Sequence, residues 1–211
     1  MNYRIEELIR LIIPGLYFAA ISIGIVIFNK WNEIIGNNGS TIINFIYSTS
    51  GIILLLIPFF GFMLGYIVEV LMSFIEHAFY FFGCRRPSKD VLQGFIFKSF
   101  NPYTLNKRED IALKLGIKNN DYTNKICGEA LQKAKQSIDM SKVRSFYYSS
   151  IFARNIFGGQ VITTVLLFVY VKDCGFEFLS ILLSILFLVF WIHMNHVYVK
   201  YVFAEYGKSL S

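Results

Sequence analysis

The chain has 211 residues, of which 55% are hydrophobic and 18% aromatic, and its formal net charge at pH 7 is +6. Soluble domains are about 45–50% apolar, so this composition argues against an ordinary soluble domain and favours a protein embedded in lipid. The three cysteines show no paired or metal-like spacing, and the sequence therefore predicts neither a disulfide framework nor a cysteine zinc site.

Four apolar stretches follow one another along the chain, each about as long as the roughly 20 helical residues that a hydrocarbon core requires. They cover residues 8–28, 51–71, 152–171 and 178–199. The first is longer than the apolar part of a signal peptide and has no clear small-x-small cleavage site after it, so it is interpreted as a retained span. The sequence predicts an all-α membrane protein whose four transmembrane helices form a four-helix bundle. A soluble all-helical protein is the alternative.

The charge of the connecting segments predicts the orientation in the membrane. Residues 83–150 contain thirteen Lys and Arg against six Asp and Glu, a net charge of +7, whereas the loops around Lys30 and Lys172 are nearly neutral. Because Lys and Arg concentrate on the cytoplasmic side, this insert is expected in the cytoplasm, and an even number of spans places both termini there.

The predicted organisation has three parts. A first transmembrane helix pair covers 1–82, a basic cytoplasmic insert covers 83–150, and a second transmembrane pair covers 151–211. The composition, rich in Ile, Lys and Asn, is typical of a bacterial chain. The expected location is therefore the bacterial inner membrane, with a multi-pass topology.

The insert is predicted to be mostly helical. Asn106 followed by Glu109 resembles a helix N-cap signature, and Gly116 is placed to end that helix. Apolar residues then recur at helical spacing over 126–143, which predicts a long helix leading to the third span. The apolar stretch 91–100 is too short to span a membrane. It is expected either to lie along the headgroup boundary or to pack beneath the bundle.

The excess of positive charge on the insert predicts its partners. Lys and Arg near a cytoplasmic leaflet attract anionic lipid, at about 1 kcal/mol for each residue close to the surface. The same charge attracts RNA or DNA without sequence specificity, and a cytoplasmic protein partner is the third interpretation. Anionic lipid is the favoured partner, since these charges set the topology in any case.

Ionisable residues within or near the spans form the candidate site, because such groups are expensive in lipid and tend to mark pathways or paired sites. If the helices bundle, these residues gather near the cytoplasmic interface as a polar cluster. The cluster is interpreted as a structural network of hydrogen bonds and ion pairs, or as a gate or ion pathway. Too few histidines are present for a membrane di-iron site, so neither a metal nor a cofactor is predicted. The predicted cluster consists of Glu69, Glu76, His77, Arg154, Asn155, His193 and His196.

Small residues at helical spacing predict where helices pack closely. Gly61 and Gly65 form a small-xxx-small pair on the second span, and Gly158 with Gly159 is placed to do the same on the third. Such pairs let two backbones approach, and the contact is expected either within the chain or between subunits.

No enzyme motif is present in the sequence. There is no glycine-rich phosphate loop, no nucleophile elbow and no His-Glu-x-x-His. Arg154-Asn155 resembles the first half of the HEPN ribonuclease motif, but Gly158, Gly159 and Gln160 stand where its histidine is expected. The chain is therefore predicted not to be an enzyme.

Short motifs in this layout resemble the small four-span membrane proteins of bacterial antiphage defence operons. That group includes accessory membrane proteins of type VI-B CRISPR loci and membrane subunits of Kiwa-like systems. The resemblance implies a homo-oligomer that senses phage action at the inner membrane, or perturbs that membrane when a cytoplasmic partner signals. A small ion or proton channel or transporter subunit is the alternative function. The matching residues are Ile13, Pro14 and Gly15, then Gly65, Tyr66 and Glu69, then Phe152, Arg154 and Asn155.

Overall fold

Every element in the computed structural model of the chain is helical across the residues it describes, which confirms the all-α prediction. The described residues are 5–82, 84–93, 105–117, 121–171 and 174–209, without the side chains of 6, 7, 22, 23, 25–56, 105–108, 170 and 174. The elements are α1 (Ile5–Phe81), α2 (Pro87–Gln93), α3 (Leu105–Lys114), α4 (Asn124–Ser137), a 3-10 turn (Met140–Val143), α5 (Arg144–Tyr170) and α6 (Cys174–Ser209).

Three helical segments within the described residues are long and apolar enough to cross a membrane: Ile57–Phe81, Met140–Val169 and Gly175–Ser209. Four such helices were predicted, and three are found among the described residues. At the predicted first span, the residues whose side chains are described form a shorter apolar stretch, Leu8–Ile21, within α1.

The apolar side chains of two of these segments point mostly outward. Only 22% of the most apolar window of Ile57–Phe81 is buried within the chain, and only 11% of that of Gly175–Ser209. Soluble monomers rarely expose apolar surfaces of this extent, which instead mark contact with a membrane or another protein. Length, composition and exposure together indicate a membrane protein.

The chain folds as two compact units. Unit 1 consists of Met1–Ser73 and Ile151–Phe190, and unit 2 consists of Phe74–Ser150 and Trp191–Ser211. Unit 2 thus includes the predicted insert together with the last turns of α1 and the second half of α6. The three-part division at 82 and 150 stays a prediction.

In unit 1 the two arms of α1, 5–21 and 57–73, lie side by side. In a straight helix Gly15 and Gly61 would be about 70 Å apart. Instead, a Cβ placed on Gly15 would overlap the carbonyl oxygen of Gly61, and one placed on Gly65 would overlap the carbonyl of Leu11. Residue 11 therefore faces 65 and residue 15 faces 61, so the arms are antiparallel and the chain reverses direction between them.

Unit 2 has a hydrophobic core built around the C-terminal half of α6. Val202 and Phe203 are almost completely buried there, together with Cys127 and Ala134 of α4 and Ile111 of α3. Burial of one large apolar side chain contributes about 1.5–3 kcal/mol. This part of α6 is therefore a core element of unit 2, although its apolar sequence predicts a lipid-facing span.

Aromatic pairs join the start of α5 to α6 within unit 2. The rings of Phe146 and Tyr201 are stacked with centroids 3.8 Å apart, and those of Tyr147 and Tyr198 lie 5.3 Å apart. The ammonium of Lys135 on α4 lies 5.1 Å from the Tyr198 ring. Its partial burial lowers the pKa of Lys135.

The helix expected to lead from the insert into the third span is interrupted. α4 ends at Ser137, and the 3-10 turn separates it from α5. The carboxylate of Asp139 accepts a hydrogen bond from the backbone N–H of Ser141 at 2.9 Å, and hydrogen bonds from Ser141 lower the pKa of Asp139. This local cap competes with helix continuation, which is why periodicity alone missed the break.

The short helix predicted between Asn106 and Gly116 corresponds to α3, but its predicted N-cap is only partly described. α3 begins at Leu105, one residue before Asn106, whose side chain lies outside them. Gly116 has a φ of 87° just after the helix, where its N–H donates to the carbonyl of Leu113 at 2.9 Å. Of the stretch 91–100, residues 91–93 close α2, and 94–100 lie outside the described part.

Candidate functional site

A carboxylate with two arginines beside it lies in unit 1. Both Arg10 of the first α1 arm and Arg154 of α5 place Nη2 3.9 Å from Oε1 of Glu69, which is on the second α1 arm. All three side chains are partly buried, with exposed fractions of 18%, 12% and 21% for Arg10, Arg154 and Glu69. We refer to these three residues as the charged triad.

The charged triad carries two positive charges and one negative charge. Glu69 lies within the segment Ile57–Phe81, and Arg154 lies within Met140–Val169. Removal of one partner from a buried pair leaves a charge without compensation, and in buried pairs this costs about 3–5 kcal/mol. The triad therefore ties three helical segments together through charges that are expensive to separate.

Asn155 follows Arg154 on α5 and is completely buried. Neither its Oδ1 nor its Nδ2 has a hydrogen-bond partner among the residues that the structure describes. Buried amide groups are nearly always satisfied, so an orphaned one calls for a functional or structural explanation. Of the predicted cluster, Glu69, Arg154 and Asn155 belong to unit 1.

A second polar network joins α5 to α6 in unit 1, and sequence reasoning missed it. The amide of Gln160 donates to the hydroxyl of Ser180 at 3.0 Å and accepts from the Tyr17 hydroxyl at 2.5 Å. The Thr164 hydroxyl lies 2.7 Å from that of Ser180 and 2.9 Å from that of Ser184. The i, i+4 spacing of 160 with 164, and of 180 with 184, is the signal that would have located it.

In unit 2, an aspartate that sequence reasoning did not single out forms the centre of a polar cluster. Asp90 of α2 has a side chain only 3% exposed, and its carboxylate lies 2.9 Å from Nε of Arg85 and 3.2 Å from Nε2 of His196. The Arg85 guanidinium also donates to the side chain of Gln93. The cluster fastens the short helix α2 to α6.

The other predicted residues of unit 2 are arranged differently. The amide nitrogen of Asn195 lies 3.4 Å from Oε1 of Glu76 and 3.2 Å from the Tyr80 hydroxyl. His77 and His193 are exposed. The seven-residue polar cluster is thus divided, with Glu76, His77, His193 and His196 in unit 2. Its interpretation as one site stays a prediction.

The predicted packing glycines differ in the space around them. A Cβ on Gly61 would lie 2.7 Å from Cγ of Leu16, and one on Gly158 would overlap the side chain of Met72. A Cβ on Gly159 would lie 3.5 Å from Cβ of Phe18, an ordinary contact. Close approach of the helices therefore depends on Gly158 rather than Gly159, and also on Gly15, which was not among the predicted packing glycines.

The thiol of Cys127 and the possible metal ligands can be described within these ranges. Cys127 is completely buried, and burial raises the pKa of its thiol to about 11, which leaves almost no thiolate at neutral pH. Within the described ranges, no group of three or more His, Cys, Asp or Glu residues is arranged to hold a metal ion.

Comparison with known proteins gave no matching family model, no matching curated protein and no matching solved structure. Function must therefore be inferred from the residues and geometry of this chain.

Proposed function

We propose that this chain is a non-enzymatic effector or sensor of the bacterial inner membrane that acts in antiphage defence as a homo-oligomer. In this proposal unit 2 docks a cytoplasmic partner, and the membrane helices perturb or monitor the bilayer. The observation that carries the proposal is the charged triad, in which one carboxylate lies beside two arginines between helical segments. Charges in such segments commonly mark functional sites.

The triad is able to set the balance between two states of the membrane helices. Two-state proteins typically differ by a few kcal/mol between their conformations. Loss of one member from a buried pair costs about 3–5 kcal/mol, which is enough to invert such a balance. In our proposal Arg10 and Arg154 hold Glu69 in the resting state, and a signal from the partner separates them.

The membrane topology is part of the proposal. The first α1 arm lies antiparallel to its second arm, and we propose that it crosses the membrane beside it as a fourth helix. Both termini and the basic insert 83–150 are then cytoplasmic, where the insert, with its net charge of +7, contacts anionic lipid. The apolar faces left exposed on Ile57–Phe81 and Gly175–Ser209 contact lipid and neighbouring subunits.

The test is substitution of the triad in a host challenged with phage. Glu69→Ala and Arg154→Ala are expected to change membrane permeability, measured by dye uptake, or to abolish protection, measured by plaque counts. Both variants should remain in the membrane fraction. Glu109→Ala is the matched control, because Glu109 is exposed and outside the candidate spans. Unaltered permeability and protection in both triad variants would contradict the proposal.

A second candidate function, an ion or proton channel or transporter subunit, is favoured by a different observation. The buried Asn155 amide and the network of Gln160, Thr164, Ser180 and Ser184 place polar groups among the candidate membrane segments, as pathways for ions do. Purified protein in liposomes would then conduct without any partner, and Gln160→Leu would reduce that flux. Absence of flux in the wild-type protein would remove this candidate.

A further inference from the structure

Unit 2 contains an open cleft between the C-terminal end of α1, the segment that follows it and α4. Its volume is about 780 Å³. Clefts that bind small ligands commonly measure about 300–1,000 Å³, so this one is large enough to hold such a molecule. The first turns of α4 supply part of its wall, through Asn124, Lys125 and Gly128.

The charge of the cleft wall is mainly positive. Arg86, Lys125 and Lys133 line it, and Glu129 is the single acidic residue among the described residues of the lining. A cleft lined by charges of one sign concentrates the potential and attracts ligands of the opposite sign. The occupant is therefore expected to be an anion.

Arg86 is held in place before any ligand arrives. Its backbone N–H donates to Oδ1 of Asn124 at 3.1 Å, and Nδ2 of Asn124 donates to the carbonyl oxygen of Cys84 at 2.8 Å. Its guanidinium carbon lies 5.4 Å from the centre of the Tyr80 ring, within the range of a cation–π contact. Such fixed positions reduce the entropy that binding would otherwise cost.

The guanidinium of Arg86 also has a hydrogen-bond donor that is not in use. Its Nε is buried and has no hydrogen-bond partner among the described residues. Gly128 makes room for it, because a Cβ there would lie 2.6 Å from Nη1 of Arg86. A buried donor without a partner, in a positively charged cleft, points to an acceptor supplied by a ligand.

We propose that this cleft binds a phosphate-bearing ligand, with Arg86 donating to the phosphate oxygens and the two lysines neutralising its charge. The planar guanidinium matches two phosphate oxygens at once, and Lys contributes a point charge. Lys133 is part of the cleft lining, and its Nζ also lies 3.5 Å from the carbonyl oxygen of Leu115, which is outside that lining. The assignment goes beyond the proposed membrane function and does not depend on it.

The phosphate has two sources with the same chemistry, a phospholipid headgroup or a soluble phosphate ester. Phe81 lines the cleft, is 80% exposed and ends the candidate span Ile57–Phe81. A cleft that begins where an apolar helix ends is accessible to lipid headgroups as well as to solutes. The experiment therefore needs one arm for each source.

The first arm uses full-length protein in phosphatidylcholine nanodiscs, titrated with inorganic pyrophosphate in a calorimeter. Arg86→Gln is expected to weaken binding about tenfold or more, equivalent to about 1.4 kcal/mol. Glu129→Gln should strengthen binding, because it removes the one repulsive charge. Lys114→Gln is the matched control, since Lys114 is exposed and outside the cleft lining, and it should change affinity less than about twofold.

A charge-neutral variant separates geometry from charge. Gly128→Ala leaves every charge in place but displaces the Arg86 guanidinium, so it should weaken pyrophosphate binding while Glu129→Gln strengthens it. Helical content and thermal unfolding midpoint verify that each variant is folded. Opposite changes in two folded variants are not produced by general loss of structure.

The second arm adds phosphatidic acid to the nanodiscs. If the lipid headgroup occupies the cleft, it competes with pyrophosphate, and pyrophosphate binding to the wild type falls. In Arg86→Gln the addition of phosphatidic acid should then no longer change pyrophosphate binding. If pyrophosphate binding is unchanged, the ligand is a soluble phosphate ester. The proposal is overturned if wild-type protein fails to bind pyrophosphate. Equal losses from Arg86→Gln and Lys114→Gln would overturn it as well.

Discussion

At the scale of single residues, the glycines of unit 1 set the distance between helices. Gly15 and Gly65 each face a neighbouring backbone so closely that a Cβ would overlap a carbonyl group. A backbone cannot rotate away as a side chain can, so a methyl group there forces the arms apart. Overpacking of this kind costs about 1–3 kcal/mol.

The first prediction is that Gly65→Ala lowers the free energy of unfolding by about 3 kcal/mol, the upper end of that range. The measurement is denaturant unfolding in detergent, followed by helical circular dichroism. Gly159→Ala is the matched control, because its Cβ would lie at an ordinary 3.5 Å from Phe18. Equal losses in the two variants would show that the arms of α1 are not in backbone contact.

Cys127 gives a prediction about pH. Burial raises the pKa of its thiol from 9.0 to about 11, so the folded state disfavours the thiolate more than the unfolded state does. The stability that follows from this shift is fully present below the pKa of the thiol in the unfolded state. It is lost as pH rises toward 11.

The second prediction is that the difference in unfolding midpoint between wild type and Cys127→Ala becomes smaller as pH rises from about 9 to about 11. Comparison of the two proteins cancels the titration of all other groups. Midpoints that stay parallel over this range would show that the thiol is not buried in the way described.

The sequence was a better guide to which residues belong to the candidate site than to the residues that they contact. Glu69 and Arg154 were both predicted as site residues, because ionisable groups in apolar stretches stand out. Arg10 and Asp90 were missed, since each lies among other charged residues and has no distinguishing pattern. Partners separated by more than a hundred positions, such as Asp90 and His196, depend on the packing of helices that periodicity does not specify.

At the scale of the helices, α6 has two different surroundings along its length. Its first half belongs to unit 1, and its second half, from Trp191, belongs to the core of unit 2. Both halves are apolar because lipid and a protein core demand the same side chains. For this reason the apolar stretch 178–199 predicts a single span and conceals the change of role.

The third prediction tests the role of the second half of α6 in the core of unit 2. Phe203 is only 1% exposed in the core of unit 2, and Phe203→Ala is expected to cost about 3–5 kcal/mol of unfolding free energy. The control is Leu186→Ala, on the same helix but 59% exposed, which should cost much less. Limited proteolysis should cut the insert faster in Phe203→Ala alone. Similar proteolysis of both variants would contradict the assignment of residue 203 to the core.

The presence of a helix was easier to predict than the residues at which it begins and ends. Apolar periodicity indicated the helices of the insert, yet the cap formed by Asp139 and Ser141 ends α4 before the predicted long helix reaches the third span. Of the four membrane spans expected from apolar composition, the described residues contain three helices of sufficient length and apolar character.

At the scale of the whole molecule, the protein combines apolar helices of membrane length with a basic helical insert. Three helices of sufficient length and apolar character support the membrane location. The net charge of +7 on residues 83–150 is the basis of the proposed cytoplasmic position of the insert.

The most direct test of this account is the labelling of single cysteines with a membrane-impermeant maleimide in intact spheroplasts. The background carries serine at Cys84, Cys127 and Cys174. Ser137→Cys, at the end of α4, is predicted to react only after permeabilisation, whereas Gly175→Cys, at the start of α6, is predicted to react in intact spheroplasts. Labelling of position 137 from outside, or recovery of the protein in the soluble fraction without detergent, would contradict the account.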